Sequence, residues 1–508
     1  MAILSLYSVE NLGARYIHAA LKAAGYPVHL IMLKQYSINY YSRITEFEVD
    51  SLLKILTENM IQTVGISVRS PYVLSAARIT QRINQELDLP VIWGGTAPTL
   101  DPEECLAHGP DFIVRGEGEE AVVELMDALS GHKGDVGAIR NIGSLDKSKE
   151  RGVHLNPVRP LLNDLDALPQ LDLSPHNKWV IDANHVRAEE PLEKTVKYQF
   201  IASRGCPYNC SYCSNAALKE VYANCGWKIR HMSPERVIKD VREARATLPK
   251  IRSILFVDEI FAMNWAWTKR FTELYASQIG IPFECQCDPR TVTEGKIHDL
   301  KEAGLVEMTL GLQSGSERVR YEVFDRKVTD QDIKTSAHLL HKYTIAARYD
   351  LITDNPYEQE SDKQLNLHML LELPRPYILN IWSLYYLPQT ALTRRALAEG
   401  IIDQSDVVGR SESDYQYFTA SLGQARPVSD RFWVAMYMLA SKPFLPVSFV
   451  RLLSKVPGLK RHPQPLMLLA RISSIVRLFT DGLKLILSGR LNPAFALRLL
   501  RNLDSLSR

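Results

Sequence analysis

Three cysteines stand within one short run, Arg204-Gly205-Cys206-Pro207-Tyr208-Asn209-Cys210-Ser211-Tyr212-Cys213-Ser214-Asn215, spaced C-x3-C-x2-C. Thiolates at that spacing can hold three irons of a 4Fe–4S cluster and leave the fourth iron open to a substrate or cosubstrate. A disulfide framework fits poorly, because three cysteines this close cannot pair off and the short loops would be strained. Structural zinc is the competing chemistry. Cys225 can supply a fourth thiolate, and closed four-thiolate zinc sites are common. On spacing alone both metals stay open.

The elements around this run repeat in a βα rhythm. From Met1 to about Leu129, short apolar strands at Ile3–Tyr7, Val28–Leu33, Thr63–Val68, Leu89–Trp93 and Phe112–Arg115 alternate with amphipathic helices. This predicts a doubly wound parallel sheet with its ligand at the carboxyl ends of the strands, where Gly94-Gly95 and Gly116-Glu117-Gly118-Glu119 fall. Residues 131–197 are polar, rich in Gly, Pro, Asp and Asn, and read as a connecting segment. A second βα series follows, with strands at Tyr198–Ser203, Ser253–Val257, Pro282–Cys287, Glu307–Leu312, Ala346–Ile352 and Asn380–Tyr386. It predicts a full or partial parallel barrel over 198–404, site residues at the strand ends. Cys285 and Cys287 share a face expected to be the barrel interior, where packing suits them better than catalysis.

The chain of 508 residues is long enough for two or three cores, and its 46% hydrophobic and 23% charged content fits a soluble globular protein. A formal net charge of +2 argues against nucleic acid as a partner. Seven cysteines, three of them clustered, do not make a secreted disulfide scaffold, so a reducing cytoplasm is expected. The start reads as a strand, not a signal peptide. From 405 the chain turns helical, leucine-rich and basic, which predicts a helical domain over 405–508. A cap on the barrel mouth is favoured; peripheral membrane contact through an interfacial helix at Leu466–Leu487 is the second reading.

The cysteine run, with Tyr212 just before its third cysteine and a strand just before its first, resembles the radical S-adenosylmethionine (SAM) superfamily. Phe256-Val257-Asp258-Glu259-Ile260-Phe261 is similar to the family's second-strand segment. Gly311-Leu312-Gln313-Ser314-Gly315-Ser316 resembles its fourth strand, with Gln313 where Glu is more usual. Asn355-Pro356-Tyr357-Glu358 and Pro388-Gln389-Thr390-Ala391-Leu392 resemble weakened Gly-x-Pro-Gly-Glu and Pro-Gly-Thr-Pro-Leu segments. Residues 1–130 resemble the Rossmann-like cobalamin-binding domain that precedes the barrel in class B enzymes. The Asp-x-His-x-x-Gly motif for an axial histidine is missing, the first βα loop reading Val9-Glu10-Asn11-Leu12-Gly13-Ala14-Arg15 instead. His18 then reads as a helix-face residue rather than a ligand.

The resemblance implies a 4Fe–4S cluster on Cys206, Cys210 and Cys213 and SAM on its open iron. Tyr212, Asp258, Glu259, Arg290, Gln313 and Ser314 would line the SAM site, and Asn11, Gly13, Ser67, Gly94, Gly95 and Glu117 the cobalamin site. Plain structural readings stand beside these: an N-cap for Ser314, an acidic turn for Asp258 and Glu259, a salt bridge for Arg290, a tight turn for Gly94 and Gly95. The implied activity is methyl transfer to an unactivated carbon of a small molecule, served by an external electron donor such as flavodoxin or ferredoxin. Oxidation or cyclisation with the same cofactors is the alternative, and a zinc-binding scaffold the non-enzymatic one. No catalytic side chain is named by the sequence.

Overall fold

The computed structural model describes residues 1–35, 43–131, 134–146, 152–411 and 427–473. They form two compact units. The first gathers the described residues of Met1–Lys194, Ile201–Pro249 and Tyr385–Gln416; the second, those of Thr195–Phe200, Lys250–Leu384 and Tyr417–Arg508.

The first unit is built on β1 (Ala2–Leu6), β2 (His29–Leu33), β3 (Val64–Ser67), β4 (Val91–Gly94), β5 (Phe112–Val114), β6 (Ile142–Asp146), β7 (Gly152–Leu155), β8 (Lys178–Asp182) and β9 (His185–Ala188). Their spatial order is β7-β6-β5-β4-β3-β1-β2-β8-β9. The inner six strands run parallel, and β6, β7 and β9 are antiparallel to their neighbours. All five residues of β1 are buried, as a central strand covered on both faces requires. Helix Leu12–Ala23 starts at Asn11, whose side chain accepts the Ala14 N–H at 3.1 Å. Strand order reverses between β1 and β3, the switch point at which doubly wound sheets bind ligands. Residues 131–197, expected to connect, also supply β6 to β9. They are four or five residues long, and β7 and β9, at the two sheet edges, bury little, so they left no clear period in the sequence.

The second unit carries six parallel strands in chain order: β10 (Lys197–Phe200), β11 (Ser253–Phe256), β12 (Phe283–Cys287), β13 (Leu305–Gln313), β14 (Ala346–Thr353) and β15 (Tyr377–Ser383). With β10 and β15 at its edges, it is a partial barrel. One expectation is corrected here. Phe283, Cys285 and Cys287 share the buried face of β12, and the Phe283 ring lies 5.8 Å from Phe271 and 4.9 Å from Tyr275 of helix Trp265–Gln278. Cys287 Sγ donates to the Phe261 carbonyl at 3.2 Å. The two cysteines therefore face the packed helices, not the barrel interior; a period of two shows that residues share a face but not which face helices cover. Burial and the neighbouring Cys287 push the Cys285 thiol up, which keeps it protonated and inert.

Helix Val428–Ala440 lies in the tail expected to cap the barrel mouth. It packs along the flanking helix Glu360–Glu372: Trp433 Nε1 donates to Glu360 at 3.0 Å, Tyr437 Oη to the Lys363 carbonyl at 2.9 Å, and Lys363 pairs with Asp430. Among the described residues no helix is long and apolar enough to cross a membrane. The helix read at Leu466–Leu487 lies outside the described residues from 474 onward.

Candidate functional site

The cysteine loop is closed at its neck by a short antiparallel ladder pairing Ser203 with His231 and Arg204 with Arg230. Gly205 opens the loop at φ +102°, a conformation L side chains rarely adopt, with any Cβ 3.1 Å from the Lys228 carbonyl. Trp227 Nε1 donates to the Cys206 carbonyl at 3.0 Å, and the Cys213 N–H to the Cys210 carbonyl at 3.0 Å. Lys219 Nζ holds the Pro207 carbonyl and Asn209 Oδ1, each at 2.7 Å. The Leu392 N–H reaches the Ser211 carbonyl at 2.8 Å. The loop is thus pinned in large part through its own backbone. None of the seven cysteines is in a disulfide; Cys210 is buried, Cys206 and Cys213 half-buried. Cys225, the fourth thiolate that zinc would need, points its Sγ at the Val158 carbonyl 3.9 Å away. Among the described residues no three His, Cys, Asp or Glu side chains are gathered at metal-ligating distance. The fit of a cluster rests instead on three soft thiolate donors in a backbone-braced loop.

Arg204, immediately before Gly205-Cys206, ties this loop to the turn after β5. Its Nη2 lies 2.6 Å from Glu119 Oε1 and its Nη1 3.3 Å from Glu117 Oε1, and its guanidinium sits 5.5 Å from the centre of the Tyr16 ring. Glu117 also accepts from Arg230 Nη1 at 2.9 Å and from the Leu162 N–H at 2.9 Å, while its own N–H donates to Tyr222 Oη at 2.8 Å. Two carboxylates and two guanidiniums close into one partly buried network. Its place within the first unit makes Glu117 a brace between the β5 turn and the cluster loop. Arg204, Arg230 and Tyr222 escaped the sequence reading, because their partners are about a hundred residues away with no local pattern to mark them.

At the switch point, Asn11 Nδ2 donates to Ser67 Oγ at 3.1 Å, joining the ends of β1 and β3. Asn11 and Ser67 are therefore brought together as expected, with Gly13 in the first turn of the following helix. His18 is buried, and that burial, with Lys178 nearby, pushes its imidazole down to about 4. It is a neutral imidazole packed among Lys22, Asp172 and Lys178. Gly94 and Gly95 separate in role. A Cβ on Gly94 meets only Val114, at 3.9 Å; one on Gly95, at φ +108°, would lie 2.7 Å from the Val68 carbonyl. Gly95→Ala is expected to destabilise the protein by about 2–3 kcal/mol and Gly94→Ala by less than about 0.5 kcal/mol, read by thermal or urea unfolding. Equal effects would contradict this division.

In the second unit the strand-end residues are unequal. Asp258 is buried and Glu259 exposed. Arg290 grips Asp288 through Nε at 2.7 Å and Nη2 at 3.0 Å, and Arg326 Nη2 adds a contact of 2.7 Å. Burial would raise the Asp288 carboxyl, but the two guanidiniums hold it below the usual range. Arg290 is thus in an internal ion pair. Gln313 sits on a register shift of β13 at φ +63°, and its Nε2 lies where a side chain on Gly311 would be. Ser314, by contrast, builds the turn: its Oγ donates to Asn366 Oδ1 at 3.0 Å and accepts from the Ser316 N–H at 3.1 Å. Asn366 Nδ2 donates to Glu358 at 3.0 Å, so one unpredicted asparagine links the fourth-strand turn to the Asn355–Glu358 turn.

Burial pushes the Glu358 carboxyl up to about 7. A carboxyl raised on folding contributes most when protonated, so stability is expected to fall as pH rises from about 4.5 through 7, by about 3 kcal/mol. Glu358→Gln should flatten that slope in unfolding measured across the window. An unchanged slope would assign it to other groups.

Residues 2–126 match the B12 binding domain family and residues 200–365 the Radical SAM superfamily. The chain thus carries the pair of domains that class B radical SAM enzymes combine. An uncharacterized methyltransferase of Pyrococcus horikoshii is 28% identical over 363 residues, 69% of this chain and 72% of the relative. An anaerobic magnesium-protoporphyrin IX monomethyl ester cyclase of Synechocystis is 25% identical over 351 residues, covering 67% of this chain and 64% of that protein. The solved radical SAM methyltransferase TsrM of Kitasatospora setae, with cobalamin and a [4Fe-4S] cluster bound, has the same fold (TM-score 0.64, 15% identity, 93% of this chain and 99% of that chain).

Proposed function

We propose that this enzyme methylates an unactivated carbon of a small molecule. The observation that carries the reading is the pairing of both cofactor domains on one chain with a curated methyltransferase relative over 69% of its length. When bound, the cluster supplies the electron that breaks a C–S bond of SAM, and cobalamin supplies a methyl carrier. The chain's own part is placement. Cys206, Cys210 and Cys213 would hold the cluster, and Gly205, Trp227 and Lys219 fix the loop that presents them. Asn11 and Ser67 fix the strand ends on which cobalamin would sit, and Arg204 with Glu117 keeps loop and strand ends in register. We assign the Gln313 amide, held on its strained bulge without a side-chain hydrogen bond among the described residues, to SAM contact. A small electron-transfer protein such as flavodoxin or ferredoxin would supply the electron in a reducing cytoplasm.

The cyclase relative keeps oxidation or cyclisation as a second reading. Product counting separates them. Methylation yields S-adenosylhomocysteine together with 5′-deoxyadenosine, whereas 5′-deoxyadenosine from a turned-over substrate without S-adenosylhomocysteine would replace methyl transfer by the second reading.

A further inference from the structure

We infer that the C-terminal helices carry a docking face for an anionic lipid bilayer, an inference independent of the methyl-transfer reading. Helix Val447–Ser454 buries Val450 but leaves Phe449 41% and Leu452 61% exposed, three residues apart on one side. Helical residues 464–473 repeat the pattern, with Leu468 59% and Ile472 50% exposed, four apart. Phe444, just ahead of the first of these helices, is 57% exposed. Scattered exposed leucines need no explanation, but paired large apolar side chains on two C-terminal helices, with only the short helix Pro457–Arg461 between them in the sequence, do.

Charge selects the occupant. Arg451, Lys455, Arg461 and Arg471 are all exposed beside these side chains. From Arg431 to Thr480 the sequence holds no Asp or Glu at all. A protein partner of ordinary mixed charge would leave this run of cations unmatched, and a nucleic acid would leave the leucines and phenylalanines in water. An anionic bilayer answers both, its headgroups meeting the cations and its acyl boundary the apolar tips. The face lies on the flank of the second unit, where helix Val428–Ala440 fastens it to helix Glu360–Glu372.

The test is co-sedimentation of the full, iron-loaded chain with vesicles of phosphatidylcholine alone or mixed with phosphatidylglycerol. The expected result is binding to the mixed vesicles, weakened by salt, and little binding to phosphatidylcholine. Phe449→Ser with Leu452→Ser should lower partitioning more than about tenfold. Arg451→Gln with Lys455→Gln should lower it roughly 30-fold, each basic residue being worth about fivefold at an anionic surface. These side chains are exposed, so iron content and melting temperature should not change. Absence of binding to the mixed vesicles would overturn the inference. So would binding that neither variant weakens, or a dimer in solution that Phe449→Ser with Leu452→Ser dissolves while vesicle binding persists.

Discussion

Replacing Cys210 by alanine is expected to abolish the iron–sulfur absorption and to cut SAM cleavage by more than about 100-fold while cobalamin binding persists. Cys210 is the buried member of the three, and its carbonyl accepts the Cys213 N–H that shapes the second half of the loop. Two remaining thiolates cannot hold a cubane with one iron open. The cobalamin face proposed above would be made of different parts, the ends of β1, β3 and β4, joined by Asn11 and Ser67 and by the packing of Gly95 on Val68. Iron and sulfide content after anaerobic reconstitution, 5′-deoxyadenosine release and retained cobalamin absorption give the three readouts. SAM cleavage surviving in Cys210→Ala would remove the cluster assignment. A wild-type preparation holding zinc, without the broad visible absorption of a cluster, would revive the scaffold reading.

The sequence disclosed what depends on short-range pattern. Parallel strands read as apolar runs because both faces are covered, so β1 to β5 and β10 to β15 were legible to within a few residues; the last strand lies at Tyr377–Ser383, three residues ahead of where the pattern put it. The cysteine loop was legible because metal ligation needs a fixed spacing of one residue type. What stayed hidden is long-range and polar. Arg204 with Glu117, and Asn366 with Ser314 and Glu358, are pairs that only the folded chain juxtaposes. The face of Cys285 and Cys287 was hidden because alternation has no sign. Strands β6 to β9 were hidden because they are only four or five residues long and lie in a stretch rich in Gly, Pro, Asp and Asn.

Arg204→Ala is expected to cost about 2 kcal/mol of stability and to lower cluster retention and turnover at least tenfold. Removing this guanidinium leaves Glu119 without its 2.6 Å partner and Glu117 with the Arg230 guanidinium and the Leu162 N–H. The side chains are 13–19% exposed, so water recovers part of the desolvation and the loss stays below that of a fully buried pair. Position, more than stability, sets the functional effect. Arg204 is two residues from Cys206, and its guanidinium touches the β5 turn and Tyr16 of the first helix at once. Without it the Cys206 side of the neck loses its tie to the β5 turn, leaving the ladder and Arg230 on the opposite strand to hold it there. Arg204→Lys tests geometry against charge: an ammonium keeps the charge but cannot serve both carboxylates in a planar fork, so cluster retention should recover only in part. Glu117→Gln keeps the shape and removes one charge. A double-mutant cycle between Arg204→Ala and Glu117→Gln should therefore show coupling of about 1–2 kcal/mol. A purely structural role would lower melting temperature alone. The brace also predicts a changed electron paramagnetic resonance signal of the reduced cluster with SAM in Arg204→Lys at temperatures where the protein is fully folded. If that signal, cluster content and cobalamin affinity all match the wild type in both Arg204 variants, the network is ordinary surface chemistry and the cluster loop is positioned by its own backbone.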